Sequence, residues 1–259
     1  FKENIQILSL IGTYSLNLLL ITFFLFPIVI LFNASRKYKY FITSITISLA
    51  ILNYFYGAYK INLFSEISYK KLKTNISIVS PKIKLDRYFD NEDPAEKIKD
   101  LINLMQLHKD KITLFILPEG ILSGLFLNDL KYYKNLFEDK INDNSYIILG
   151  INTVREKSTF NSLVLMDSKL NIIDKYDKNK LVPFGEFLPF ESFLKKFGFK
   201  KVTEGYNSFS KSDTRKIMLV DEISILPLIC YEIIYIGKLS KKKQNYDIIV
   251  NISEDGWLE

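Results

Sequence analysis

Charged positions are spread unevenly along the chain. Ile5 to Phe32 is a run of 28 residues without a charge, and Tyr40 to Tyr59 is a run of 20 more. A helix of roughly 20 residues crosses a hydrocarbon core of about 30 Å. The pattern therefore predicts two spanning helices, about 5–32 and 40–59, in a membrane segment covering residues 1–64. Pro27 is the expected kink in the first. From Asn75 onward the pattern changes to short apolar runs rich in Ile and Val. Strands are predicted at Ile76–Val79, Ile112–Leu117, Tyr146–Ile151, Ser162–Met166, Ile217–Val220, Ile223–Ile229 and Ile248–Ile252. Most are continuous runs, as expected of strands covered on both faces. Between the first two strands, Asp93 predicts an N-cap, Pro94 suits the first helical position and Glu96 completes a capping-box spacing. Ile98, Leu101, Ile102 and Met105 then form one apolar face. Strands alternating with helices predict a layered α/β domain over residues 65–259.

Charge refines this division. The net charge is +6, yet residues 1–64 hold five basic residues (Lys2, Arg36, Lys37, Lys39, Lys60) against Glu3 alone. The remaining 30 basic and 28 acidic residues nearly cancel, so the folded half lacks the basic stripe of a nucleic-acid reader. No nucleic-acid partner is expected. The connector Asn33–Lys39 carries Arg36, Lys37 and Lys39, and short basic loops stay cytoplasmic. That places residues 65–259 on the far side of the membrane, periplasmic in a Gram-negative cell. Lys60, Lys70, Lys71 and Lys73 oppose this assignment, but long domains translocate largely regardless of charge. The chain begins at Phe1 and not at Met, so further residues are expected before it.

The single Cys excludes an internal disulfide, and the single His excludes multi-His metal sites and disfavours Ser-His-Asp and Cys-His chemistry. His108, near the end of the Asp93 helix, is expected to be a packing or helix-terminus residue. Catalytic groups are often presented at strand ends, and three such places stand out. Glu119 follows Leu114-Phe115-Ile116-Leu117-Pro118. Lys178 and Lys180 lie in Tyr176-Asp177-Lys178-Asn179-Lys180-Leu181-Val182-Pro183-Phe184-Gly185-Glu186. Cys230 ends the apolar run Ile225–Ile229 and is followed by Tyr231-Glu232. Each alone has a plain structural explanation: a helix start, a solvated loop, a small buried thiol.

Together they form a pattern. Without a useful His, a Cys nucleophile needs another base, and a carboxylate serves. A nearby Lys favours the thiolate and stabilises an oxyanion. The order Glu119, Lys178, Cys230 resembles the nitrilase superfamily. More narrowly, Y-D-K-N-K-L-V-P-F-G-E-F-L-P from Tyr176 to Pro189, the tripeptide Cys230-Tyr231-Glu232, and Asn251-Ile252-Ser253 with Asp255 and Trp257 resemble the apolipoprotein N-acyltransferase family. Ile148-Leu149-Gly150-Ile151 and Phe160-Asn161-Ser162 are similar to that family's strand pair before the Lys loop.

The resemblance implies a nitrilase-like α-β-β-α sandwich preceded by transmembrane helices. It implies Glu119 as general base, Lys178 and not Lys180 as the catalytic lysine, and Cys230 as nucleophile, with Glu186, Tyr231 and Glu232 in support. It further implies acyl transfer from a phospholipid to the N-terminal amine of a diacylglyceryl-cysteine lipoprotein beside a lipid bilayer, with no metal or organic cofactor. Phe184, Phe187, Leu188 and Phe190 would then face acyl chains or pack their own loop. The chain departs from the family at Leu117 and Phe89, where Trp is common. It departs again at Glu254 and Glu259, which add charges, and it stops before the family's closing strands and final helix. The catalytic domain is therefore expected to be incomplete at its C-terminal end, with Ile248–Ile252 exposed. Two rival readings remain: a membrane-tethered nitrilase-type amidase using water, or a truncated, inactive relic.

Overall fold

A computed structural model describes residues 2–31, 35–65, 72–81, 93–105, 111–138, 140–198, 208–235 and 245–254. The chain divides into two compact units, Phe1–Lys71 and Leu72–Glu259. His108, Phe89, Asp255, Trp257 and Glu259 lie outside the described residues.

The first unit is a pair of helices, α1 (Leu8–Leu31) and α2 (Arg36–Ser65). Helix α2 takes in Arg36, Lys37 and Lys39 as its first turn, so most of the expected connector is helical. The expected kink at Pro27 is not where α1 breaks. Pro27 sits inside the helix, and the non-helical backbone falls at Gly12 (φ 74°), whose missing Cβ permits it. Ser9 Oγ and Tyr56 OH lie 3.2 Å apart, and Asn53 Nδ2 donates to the Asn4 carbonyl at 3.2 Å, tying the helices near one end. Both helices are long and apolar enough to cross a membrane, and only 6% of each apolar window is buried.

The second unit is built on two sheets. The first has the order β1-β2-β3-β4-β5: β1 (Asn75–Ile78), β2 (Thr113–Ile116), β3 (Ser145–Arg155), β4 (Ser158–Asp167) and β5 (Ile172–Asp177). Strands β1, β2 and β3 run parallel, while β4 and β5 return antiparallel. The second sheet has the order β6-β7-β8: β6 (Met218–Val220), β7 (Ile223–Ile229) and β8 (Ile248–Ile252). Helix α3 (Pro94–Leu104) connects β1 to β2. It starts as expected, with the Asp93 side chain accepting from the Ala95 N–H.

Two apolar cores set the layers. On one side of the first sheet, Ile98, Leu101, Ile102 and Met105 join Phe115, Ile147, Leu149 and Val164. On its other side, Leu114, Ile148, Leu163 and Leu165 meet Ile223, Ile225, Ile229, Val250 and Ile252 of the second sheet. Strand alternation makes this possible: Ile147 and Leu149 point one way and Ile148 the other. The second unit is thus a layered α/β sandwich, with two sheets face to face and α3 packed outside the first. Strand β8 buries Val250 and Ile252 between the sheets, while Ile249 is left 43% exposed.

Two expectations need correction. The stretch before Lys178 is not all loop, because Ile172–Asp177 forms edge strand β5. Its charges obscured the pattern, but a partly solvated edge tolerates them. Strands β3 and β4 also extend well beyond the apolar runs, forming a ribbon closed at Glu156–Lys157 with Glu156 in the left-handed region.

Candidate active site

The three candidate groups arrive from the ends of three strands. Strand β2 ends at Ile116, Pro118 cannot extend the ladder, and Glu119 follows in a turn. The turn passes directly over β3. A Cβ on Gly150 would lie 2.6 Å from the Glu119 Cα and 3.0 Å from the Pro118 carbonyl oxygen, so no larger residue fits there with the carboxylate in place. Strand β5 delivers Lys178, whose backbone N–H donates to the Asn161 carbonyl at 2.8 Å and continues the β4–β5 ladder. Strand β7 delivers Cys230 at the start of a short 3-10 turn, Cys230–Ile234, with φ at +51°. A left-handed non-glycine residue costs about 1–2 kcal/mol. Here it turns the thiol out of the strand direction at the sheet's end.

The side chains converge on one ammonium. Lys178, only 1% exposed, places Nζ 2.9 Å from Glu186 Oε1 and 3.4 Å from Glu119 Oε1. Burial alone would lower its pKa, but the Glu119 and Glu186 carboxylates outweigh that and hold it above the ordinary lysine value. Lys180 is exposed and contributes its backbone N–H, not its ammonium, to Glu232. Burial and the neighbouring Glu119 push the Cys230 thiol up, against the Lys178 ammonium and the Ser253 hydroxyl, which lies 3.7 Å from Sγ. The resting site is therefore a thiol beside a carboxylate and a buried ammonium.

The supporting residues take distinct places. Glu186 accepts from Lys178, from Asn161 Nδ2 at 2.8 Å and from the Val182 N–H at 2.9 Å, which closes its own turn. Glu232 is completely buried. It accepts from the backbone N–H groups of Asn179 (3.0 Å), Lys180 (2.9 Å) and Ile229 (3.0 Å), from Tyr176 OH (2.7 Å) and from Arg215 (2.8 Å). It thus ties the loop after Lys178 to the strand end before Cys230. Burial first, then the Glu232 charge, hold the Tyr176 phenol well above its usual value. Tyr231 is 42% exposed, its ring edge-on to Tyr235 at 5.8 Å. In the loop, Leu188 is buried as packing, whereas Phe184 and Phe190 are exposed.

Asn161, Ser253, Tyr176 and Arg215 take part in the site beyond the residues anticipated as functional. Asn161, Tyr176 and Ser253 lie in stretches that carried the family resemblance, but nothing local marked their roles. Arg215 precedes a strand in an otherwise unremarkable polar stretch, so only tertiary structure finds it. Among the described residues no cluster of His, Cys, Asp and Glu is arranged to hold a metal ion.

This architecture, with a carboxylate, a lysine and a cysteine at adjoining strand ends, falls in a known class. The family described as carbon-nitrogen hydrolase matches residues 75–259, and the chain belongs to that family. Within it, the chain is similar to apolipoprotein N-acyltransferases. That of Rhizobium rhizogenes is 36% identical over 126 residues, covering 46% of this chain and 24% of the relative. That of Brucella suis is 28% identical over 226 residues, covering 82% and 42%, and that of Bradyrhizobium diazoefficiens is 25% identical over 270 residues, covering 97% and 49%. The chain spans about half the length of these relatives or less. Among solved structures, a carbon–nitrogen hydrolase superfamily protein from Xanthomonas campestris is 15% identical with a TM-score of 0.46, covering 69% of this chain and 64% of its own.

Proposed function

We propose that this protein is a membrane-bound N-acyltransferase that moves an acyl chain from a phospholipid to the N-terminal amine of a diacylglyceryl-cysteine lipoprotein. The observation that carries the reading is the convergence at Cys230: a thiol acted on by the Glu119 carboxylate and by an ammonium that its neighbours keep protonated. The similarity to apolipoprotein N-acyltransferases over most of the chain supports the choice of substrates.

The chemistry proceeds in two halves. Glu119 takes the Cys230 proton as Sγ attacks the ester carbonyl. The developing oxyanion is met by the Lys178 ammonium and a backbone N–H near Tyr231. The carbon–oxygen bond breaks, the proton on Glu119 passes to the leaving lysophospholipid, and a thioester remains on Cys230. The acceptor amine then attacks the thioester, Glu119 takes the amine proton and returns it to the departing sulfur, and the amide is complete. A thioester suits this step because an amine attacks it more readily than an ester. Lys178 stays protonated throughout. Its two carboxylate neighbours favour that state, so Glu119 and not Lys178 shuttles the proton. Glu186 and Glu232 hold the lysine and its loop in place, and Tyr231 lies beside the nucleophile.

The two apolar helices anchor the unit at the bilayer that holds both substrates. Their basic turn Arg36–Lys39 lies on the cytoplasmic side and the catalytic unit on the periplasmic side. Incubation of the protein with phospholipid should add one acyl mass to Cys230, and a diacylglyceryl peptide should remove it by gaining an amide. An adduct undiminished in Cys230→Ala would overturn the reading. A reporter fused after Tyr69 and active only in the cytoplasm would overturn the topology. The carbon–nitrogen hydrolase family match also supports a second reading, an amidase in which water replaces the amine. Hydrolysis of a small amide without acylation by phospholipid would select it.

A further inference from the structure

Two carboxylates, Glu119 and Glu186, face one ammonium. Both are largely buried, with side chains 12% exposed, and both direct their Oε1 atom toward Lys178 Nζ. A neutral side chain also reaches both carboxylates. Asn161 Nδ2 lies 2.6 Å from Glu119 Oε1 and 2.8 Å from Glu186 Oε1. A primary amide nitrogen carries two hydrogens, one for each acceptor. The orientation of the amide is set by chemistry: turning it over would press Oδ1 against two anions. The same residue also accepts the Lys178 N–H on its backbone carbonyl at 2.8 Å. Asn161 therefore touches the main chain of the lysine and the side chains of both its partners.

We infer that Asn161 is a positioning residue that holds the Glu119 carboxylate in place by donating one amide hydrogen to it and the other to Glu186. It acts without charge, so it does not compete with Lys178 for the developing oxyanion. The titratable groups facing the pair are Lys178 from the end of β5 and Cys230 from the end of β7. Asp177 is engaged elsewhere, with Ser162, Arg155 and Lys175. Asn161 and Ser162 are consecutive on β4 and point to opposite faces of the sheet. The chemistry assigned to Asn161 rests on the reading of Glu119 as base. Its test does not require acyl transfer.

Cys230 is the only cysteine in the chain, so alkylation by iodoacetamide reports on this thiol alone. Rates are followed by mass on the full chain in detergent across about pH 5 to 10, with thermal unfolding of each variant alongside. The Glu119 charge holds the Cys230 thiol up, so a carboxylate no longer held in place should let the midpoint of the alkylation profile fall. Asn161→Ala should move the midpoint down, in the same direction as Glu119→Gln, by about half a pH unit, a roughly threefold change in the thiolate equilibrium. In a Glu119→Gln background, Asn161→Ala should move nothing more. An unchanged midpoint in Asn161→Ala, or an equal shift in the Glu119→Gln background, would overturn the inference and leave Asn161 a merely structural residue. Absence of an acyl adduct in the wild type would refute acyl transfer instead, with the alkylation result still deciding the role of Asn161.

Discussion

Adding one methyl group to Gly150 should disable the site from the far side of Glu119. Gly150 lies mid-strand in β3, where alanine is intrinsically better than glycine by roughly 0.5–1 kcal/mol. Local propensity therefore predicts a stabilising change. The tertiary contact reverses the sign. The new Cβ would sit 2.6 Å from the Glu119 Cα and 2.8 Å from Ile252 Cδ1, with the Pro118 carbonyl at 3.0 Å. The Ile252 methyl can rotate aside, but the backbone of Glu119 cannot. Reaching ordinary contact near 3.4 Å requires the turn to rise by about 0.8 Å, at an overpacking cost of about 1–3 kcal/mol. The balance is a net loss of about 1–2 kcal/mol, a fall in Tm of a few degrees for a unit this size. The catalytic effect is larger. A displacement near 1 Å at a reacting group costs on the order of 10²-fold, so acyl-enzyme formation should fall about a hundredfold in a protein that remains folded. The assay is single-turnover acylation of Cys230 followed by mass, beside thermal unfolding. Gly185→Ala is the control. It lies in the same motif as Glu186, but its Cβ would meet nothing nearer than 3.4 Å, and its rate should change less than about threefold. A Gly150→Ala protein with unchanged Tm and acylation rate would refute the close-approach argument, and equal losses at both glycines would refute its specificity.

Lys178→Ala should reduce acylation about 10²–10³-fold, as for loss of one oxyanion donor, with little effect from Lys180→Ala; the reverse ranking in single-turnover rates would reassign the lysine. Because burial and Glu119 hold the Cys230 thiol above its usual value, its alkylation at neutral pH should be slower than that of free cysteine. Glu119→Gln should lower the thiol pKa and Lys178→Met should raise it, read from alkylation rate against pH. Arg215→Ala leaves the fully buried Glu232 carboxylate without its guanidinium and should destabilise the catalytic unit by about 3–5 kcal/mol in urea unfolding, whereas Arg215→Lys should recover part of this.

Much of this protein was legible along the chain because the relevant forces are local. An uncharged run of 28 residues has few outcomes, and a helix forms on each apolar run, the second reaching four residues before and six beyond its expected limits. Strands β7 and β8 fall on continuous apolar runs, β7 buried on both faces and β8 on one, with Ile249 exposed. The order of Glu119, Lys178 and Cys230 was readable as spacing, since each ends or follows a strand. Other features have no local cause. Strand β5 reads as polar loop because an edge strand shows half its side chains to water, and only its pairing with β4 makes it a strand. The resemblance picked Lys178 over Lys180, but that Lys178 is buried and Lys180 exposed is a tertiary matter, which two lysines two residues apart do not announce. The resemblance implied Glu232 in support of the site, but only the fold shows how its carboxylate is used: it accepts from backbone N–H groups of the loop after Lys178, which need an acceptor out of water. Asn161 and Arg215 bond to residues between 17 and 42 positions away. Hydrogen bonds and ion pairs are short-ranged in space and indifferent to separation along the chain, so only the folded sandwich decides which polar groups meet.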